Sequence, residues 1–142
     1  IYNRGRSYEE MGDLSSAEKD YNYILDNDHK NLNAMLSLSK MAYERGDYSK
    51  SLLLSEEVKK NHETSAQAHF LVARAKHQLG YAKAALEAYN NAISLDKEFG
   101  EAYLYRGALR SAMKHKRACE DFKTAKILKV EGASEALDKY CN

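Results

Sequence analysis

The sequence predicts an all-α solenoid of about four stacked helix-turn-helix units, closed by a C-terminal capping helix. Three observations carry this. Gly12, Gly46 and Gly80 recur every 34 residues in similar phrases: Glu-Met-Gly-Asp-Leu, Arg-Gly-Asp-Tyr and Gln-Leu-Gly-Tyr-Ala. A column of small residues has the same period, namely Gly5, Ser39, Ala73 and Gly107. The 142 residues include no proline, so stretches rich in good helix formers run uninterrupted. A fixed period of this length is the signature of a repeat architecture.

Each element follows from the columns. Ala17, Ser51 and Ala85 form a third column, Tyr21, Ser55 and Tyr89 a fourth, and Ile24, Val58 and Ala92 a fifth. A glycine between two helical stretches ends the first, because it accepts left-handed backbone that residues with a Cβ resist. Small residues inside the helices let antiparallel partners approach, and the aromatic column fills the space beside them. The expected helices are 1–11, 15–27, 31–45, 49–61, 65–79, 83–95, 99–113, 115–129 and 133–141, separated by turns such as Gly-Asp and Asn-Asp-His-Lys-Asn. No stretch alternates as a strand does. Ala133, Ala136, Leu137 and Tyr140 share one face at i, i+3, i+4 and i+7, as a cap over the open end of a stack would.

With these columns the chain resembles the tetratricopeptide repeat (TPR) family, over essentially its whole length. The third repeat fits well, with His69, Val72, Ala73, Gly80, Ala85, Tyr89 and Ala92. The second carries Met35, Leu38, Ser39, Gly46, Ser51 and Val58, with Ser55 weak at the aromatic position. The first begins late, with Ile1, Gly5, Tyr8, Gly12, Ala17, Tyr21 and Ile24. The fourth starts at Tyr103 and Gly107 and then runs one residue short: Lys114 replaces the turn glycine, and Ala118, Phe122 and Ala125 arrive one position early. The usual closing proline is His29, Glu63 and Lys97, and Arg4 and Arg106 occupy a normally apolar position. The resemblance implies one domain over 1–142, with repeats near 1–31, 32–65, 66–99 and 100–131 and a cap at 133–141, within a longer protein. The closing phrase Ala-Cys-Glu-Asp-Phe-Lys-Thr-Ala, ending in Tyr-Cys-Asn, looks like the last repeat of bacterial TPR proteins.

In such a stack the first helix of each pair lines a concave groove. The resemblance places Tyr2, Leu36, Phe70 and Leu104 in one groove row and Arg6, Lys40, Arg74 and Ala108 in the next, with Tyr43 and His77 one turn further along. An exposed apolar row beside a basic row suits an extended or helical segment with acidic and apolar side chains, since guanidinium grips carboxylate bidentately. The bland alternative is a solvated helix face that carries Lys and Arg by chance. The two-asparagine carboxylate clamp of chaperone-binding TPRs is missing, because Arg6 and Lys40 stand where asparagine is required.

Cys119 and Cys141 lie at similar distances from a turn near Glu131 and Gly132. They pair as a disulfide pinning the cap, or remain two free thiols. A bridge points to an oxidising compartment such as a bacterial periplasm or envelope, and free thiols to the cytoplasm. His115 and Cys119 are spaced i, i+4 and with Cys141 would supply three ligands, but no fourth is evident, so no metal is expected. No P-loop, dinucleotide or nucleophile-elbow motif is present, so neither cofactor nor catalysis is expected. A net charge of +1 argues against nucleic acid as a partner, and no apolar run is long enough to insert in a membrane. The sequence therefore points to a non-catalytic scaffold for a protein or peptide partner. The alternative is an assembly protein that self-associates through its open end or convex face.

Overall fold

The computed structural model describes residues 1–141, and every regular element among them is an α-helix. The helices are α1 (Tyr2–Glu10), α2 (Leu14–Asn27), α3 (Leu32–Glu44), α4 (Tyr48–Asn61), α5 (Ala66–Gln78), α6 (Ala82–Leu95), α7 (Gly100–Ala112), α8 (Ala118–Ile127) and α9 (Ala133–Tyr140). They pack as the hairpins α1–α2, α3–α4, α5–α6 and α7–α8, each stacked on the next, with α9 closing over α8 and α7. The fold is the helical-repeat solenoid expected from the 34-residue columns. Only α8 departs clearly in extent, starting three residues later and ending two earlier than 115–129. His115 turns back so that its Nδ1 accepts from the Arg117 amide at 3.1 Å, and Lys129 takes left-handed backbone just past the end of the helix.

The turn glycines are there for their backbone. Gly12, Gly46 and Gly80 have φ of +81°, +82° and +87°, and an added Cβ at any of them would meet open space. Lys114 makes the same turn at φ 57° despite its side chain. Downstream of these and the intervening turns, Asp13, Asn31, Asp47 and Ser65 each accept the amide three residues on, a cap worth about 1 kcal/mol.

The small column is there for space. A Cβ on Gly5 would lie 2.8 Å from the Tyr21 ring, and one on Gly107 2.7 Å from the Phe122 ring. In the second hairpin Ser55 replaces the aromatic. There Ser39 and Ser51 cross-link the helices instead, each hydroxyl donating to the other's carbonyl at 3.2 and 3.1 Å.

The two arginines at apolar positions are explained by their partners. Arg4 donates from Nε and Nη2 to Asp20 at 2.9 and 2.8 Å, and Arg106 to Asp121 at 3.0 and 2.8 Å. Counted by the repeat, the same two positions hold Leu38 with Leu54 in the second hairpin and Val72 with Ala88 in the third. An apolar contact inside the stack is thus exchanged for a bidentate ion pair in the first and last hairpins.

The cap takes the place of a fifth hairpin. Ala133 is fully buried, Tyr140 stacks on Phe122 with ring centroids 5.8 Å apart, and a disulfide joins Cys119 to Cys141 with Cα atoms 5.9 Å apart. Cys119 falls in the column of Leu52 and Leu86, which pack against the core between hairpins. The bridge therefore sits at a stacking position. No described helix is long and apolar enough to cross a membrane.

Candidate functional site

Helices α3, α5, α7 and α9 touch one another in series along one side of the stack, which makes their side the concave one. The residues expected to line it fall into three groups.

The first group is not surface at all. Leu36 and Phe70 are only 7% and 3% exposed and belong to the main core. The expectation of an exposed apolar row is therefore corrected. Phe70 is roofed by Phe99 and Tyr105, with ring centroids 4.9 and 5.2 Å away, and Tyr89 packs at 6.2 Å. Tyr2 is half-buried against Tyr21. Leu104 is half-buried on the wall of a cavity of about 640 Å³ between the start of α7 and the α8–α9 turn. Phe99, Tyr105, Leu128 and Val130 also line that cavity, with Asp96, Glu98, Glu101, Glu131 and Lys129 as its charged residues.

The second group is polar but structural. His77 shares a 3.0 Å hydrogen bond between Nδ1 and the buried Tyr89 hydroxyl. Two repeats earlier in the array, Glu9 accepts from the buried Tyr21 hydroxyl in the same way. Burial holds the His77 imidazole below its usual pKa and raises the Tyr89 phenol. Tyr43 packs edge-on against Tyr48, accepts from Gln78 Nε2 at 3.2 Å and carries the Arg74 guanidinium on its face, 3.9 Å from the ring centroid.

The third group forms a cationic row. Arg6 is exposed, and Lys40 and Arg74 together line a pocket of about 200 Å³ with Glu44, Gln67, Phe70, Leu71, Phe99 and Glu101. Burial holds the Lys40 ammonium below its usual pKa, and Arg74 and Arg6 push it further the same way, against the pull of Glu101 and Glu9. Arg74 lies between the Tyr43 and Phe70 rings, and its Nε is buried without a hydrogen-bond partner. Lys40 and Arg74 thus hold partly desolvated positive charge beside aromatic rings.

Sequence reasoning missed Phe99 and Tyr105. A signal for Phe99 was available: it stands where Ser65 and Asn31 cap their helices, 34 and 68 residues earlier, and an aromatic cannot cap. Its side chain turns onto Phe70 instead.

No family model matches the chain, and no curated protein matches it. Solved structures do. MamA superposes with a TM-score of 0.76 at 25% identity, over 88% of this chain and 74% of its own. The TPR domain of Arabidopsis OM64 gives 0.71 at 26%, over 77% and 93%. The first TPR of Spaghetti (RPAP3), solved with the HSP90 peptide SRMEEVD, gives 0.71 at 20%, over 77% and 89%. The chain is a helical-repeat protein of the hairpin-stacking class. Within that class its architecture is that of the tetratricopeptide repeat.

Proposed function

We propose that the chain is a non-catalytic protein-interaction scaffold whose concave face takes a segment bearing carboxylates, held by Arg6, Lys40 and Arg74. The TPR-type neighbours support the scaffold role, and one of them is solved with a peptide containing two glutamates. The single observation that carries the finer reading is the shared pocket of Lys40 and Arg74. Two cations share it over an apolar floor, and among the described residues neither makes an ion pair with Glu44 or Glu101, which also line it. Buried like charges are costly, and a bound carboxylate relieves the cost. Phe70, Leu71 and Phe99 form that floor, and Leu36 lies in the core outside the pocket. Glu44 and Glu101 bound the pocket and disfavour a ligand with acid at every position.

The test is binding of fluorescent peptides, carrying two or three Asp or Glu between apolar residues, to the chain and to its Lys40→Glu and Arg6→Glu variants. We expect the affinity to fall at least tenfold in each variant and to weaken steadily with added salt. Binding that is unchanged in both variants removes the cationic row from the function.

A further inference from the structure

The cap is fastened at both ends, by different means. At the near end, the α8–α9 turn is packed on the start of α7. Val130 lies so close to Gly100 that an added Cβ there would collide, and Ala133 is fully buried. Lys129 and Gly132 take left-handed backbone in this turn, at φ 63° and 91°. From there α9 runs only eight residues, about 12 Å. Ala133 is its one buried residue. Ala136 and Leu137 are half-buried, and Tyr140 is 51% exposed although it stacks on Phe122. Gly132 gives the helix no side-chain cap. A helix this short and this little covered does not persist in water by itself. Its far end is held by the bridge from Cys141 to Cys119 in the first turn of α8, across a sequence separation of 22.

That bridge is open to attack, since both half-cystines are partly exposed. Cys119 follows the turn Lys114, His115, Lys116 and Arg117 and stands at the N-terminal end of α8. A thiolate leaving there meets the positive end of the helix and a basic turn. The acids beside it are engaged: Glu120 pairs with Arg117 at 3.1 Å, and Asp121 is gripped by Arg106 and Arg110.

We propose that the Cys119–Cys141 bridge is a redox latch, which holds α9 folded over the last hairpin when closed and frees α9 to unwind when a dithiol reduces it. A thiolate of the dithiol attacks Sγ of Cys141, the S–S bond breaks, and Cys119 leaves as a thiolate. The second thiol of the reductant then displaces Cys141. Two electrons and two protons thus pass to the protein, which ends with two thiols, and the reductant becomes a disulfide. The turn that walls the neighbouring cavity stays anchored on Gly100, so what opens is the side of α8 around Phe122.

The test is hydrogen exchange on the chain before and after dithiothreitol, with alkylation and mass reporting the free thiols. Once both thiols are free, the α9 amides should exchange at least about a hundredfold faster, the order of the constraint lost with a loop of this size. Amides of α1–α6 should keep their rates. The double variant Cys119→Ser, Cys141→Ser should exchange as the reduced chain does and not respond to reductant. If that variant does not fold, the reduced chain supplies the same reading by itself. Glutathione, used as a monothiol probe and quenched early, should be found on Cys141. The proposal is overturned if α9 keeps its protection with both thiols free, or if α1–α6 lose theirs along with it. It is also overturned if the bridge yields to dithiothreitol only in denaturant, or if the first adduct lies on Cys119.

Discussion

At the residue scale the repeat columns encode two separate demands, one on backbone and one on volume. Gly107 answers the second, with Phe122 carbons 2.7 and 2.8 Å from where its Cβ would be. Gly107→Ala should destabilise the chain by about 1–3 kcal/mol, the usual cost of overpacking a filled core, as read by urea unfolding. Gly46→Ala also destabilises, but through its φ of +82° rather than through crowding. His77 makes a pH prediction. Its imidazole is held below its ordinary pKa of 6.5 by burial, so the folded state binds the proton less well than the unfolded state does. Its contribution is whole above 6.5 and is lost as pH falls through and below that value. His77→Gln keeps a hydrogen-bonding partner for Tyr89 and should flatten that part of the stability curve, measured by denaturant midpoints between pH 7.5 and 5. An unchanged slope would mean that His77 is not the group responsible.

At the element scale the last hairpin is held by charge where the second is held by hydrocarbon. Asp121 is buried between Arg106 and Arg110. Removing it by Asp121→Ala leaves two largely covered guanidinium groups unpaired, at about 3–5 kcal/mol. The second hairpin carries Leu38, Ala42 and Leu54 at the three equivalent positions. Importing that set as Arg106→Leu, Arg110→Ala and Asp121→Leu together should recover more than half of the loss. If the triple variant is no more stable than Asp121→Ala, the ion pair is not standing in for apolar packing.

The same scale explains what could be read from the sequence. The helices, their turns and the cap were legible because each repeat solves the same packing problem with residues at fixed intervals. Arg4 and Arg106 broke the apolar column, and the resolving signal was Asp20 and Asp121 in a second column. The site was less legible. Column spacing fixes which residues share a helix face, but not what a neighbouring hairpin lays over it. Leu36 and Phe70 share a face with Lys40 and Arg74, yet Phe99 and Tyr105, from outside their column, bury Phe70. His77 looked like a groove residue until the Tyr89 hydroxyl supplied its partner.

At the scale of the whole molecule the structure is a graded object. One end is closed by α9 and the Cys119–Cys141 bridge, and the concave side carries Arg6, Lys40 and Arg74 in a row that stops at Ala108. Beyond that point the neighbouring cavity is lined by four carboxylates, Asp96, Glu98, Glu101 and Glu131, against one cation, Lys129, so this part of the surface is net acidic. An acidic ligand should therefore settle toward α1–α5 and avoid the cap. The most direct measurement of the scaffold reading is an NMR titration of the chain with such a peptide, following the backbone amides and the Lys40 side chain. The result expected is shifts confined to α1, α3 and α5, with the Lys40 pKa moving up toward its ordinary value as a carboxylate arrives beside it. Shifts that fall on the even-numbered helices, or saturating binding that leaves Lys40 unmoved, would contradict it.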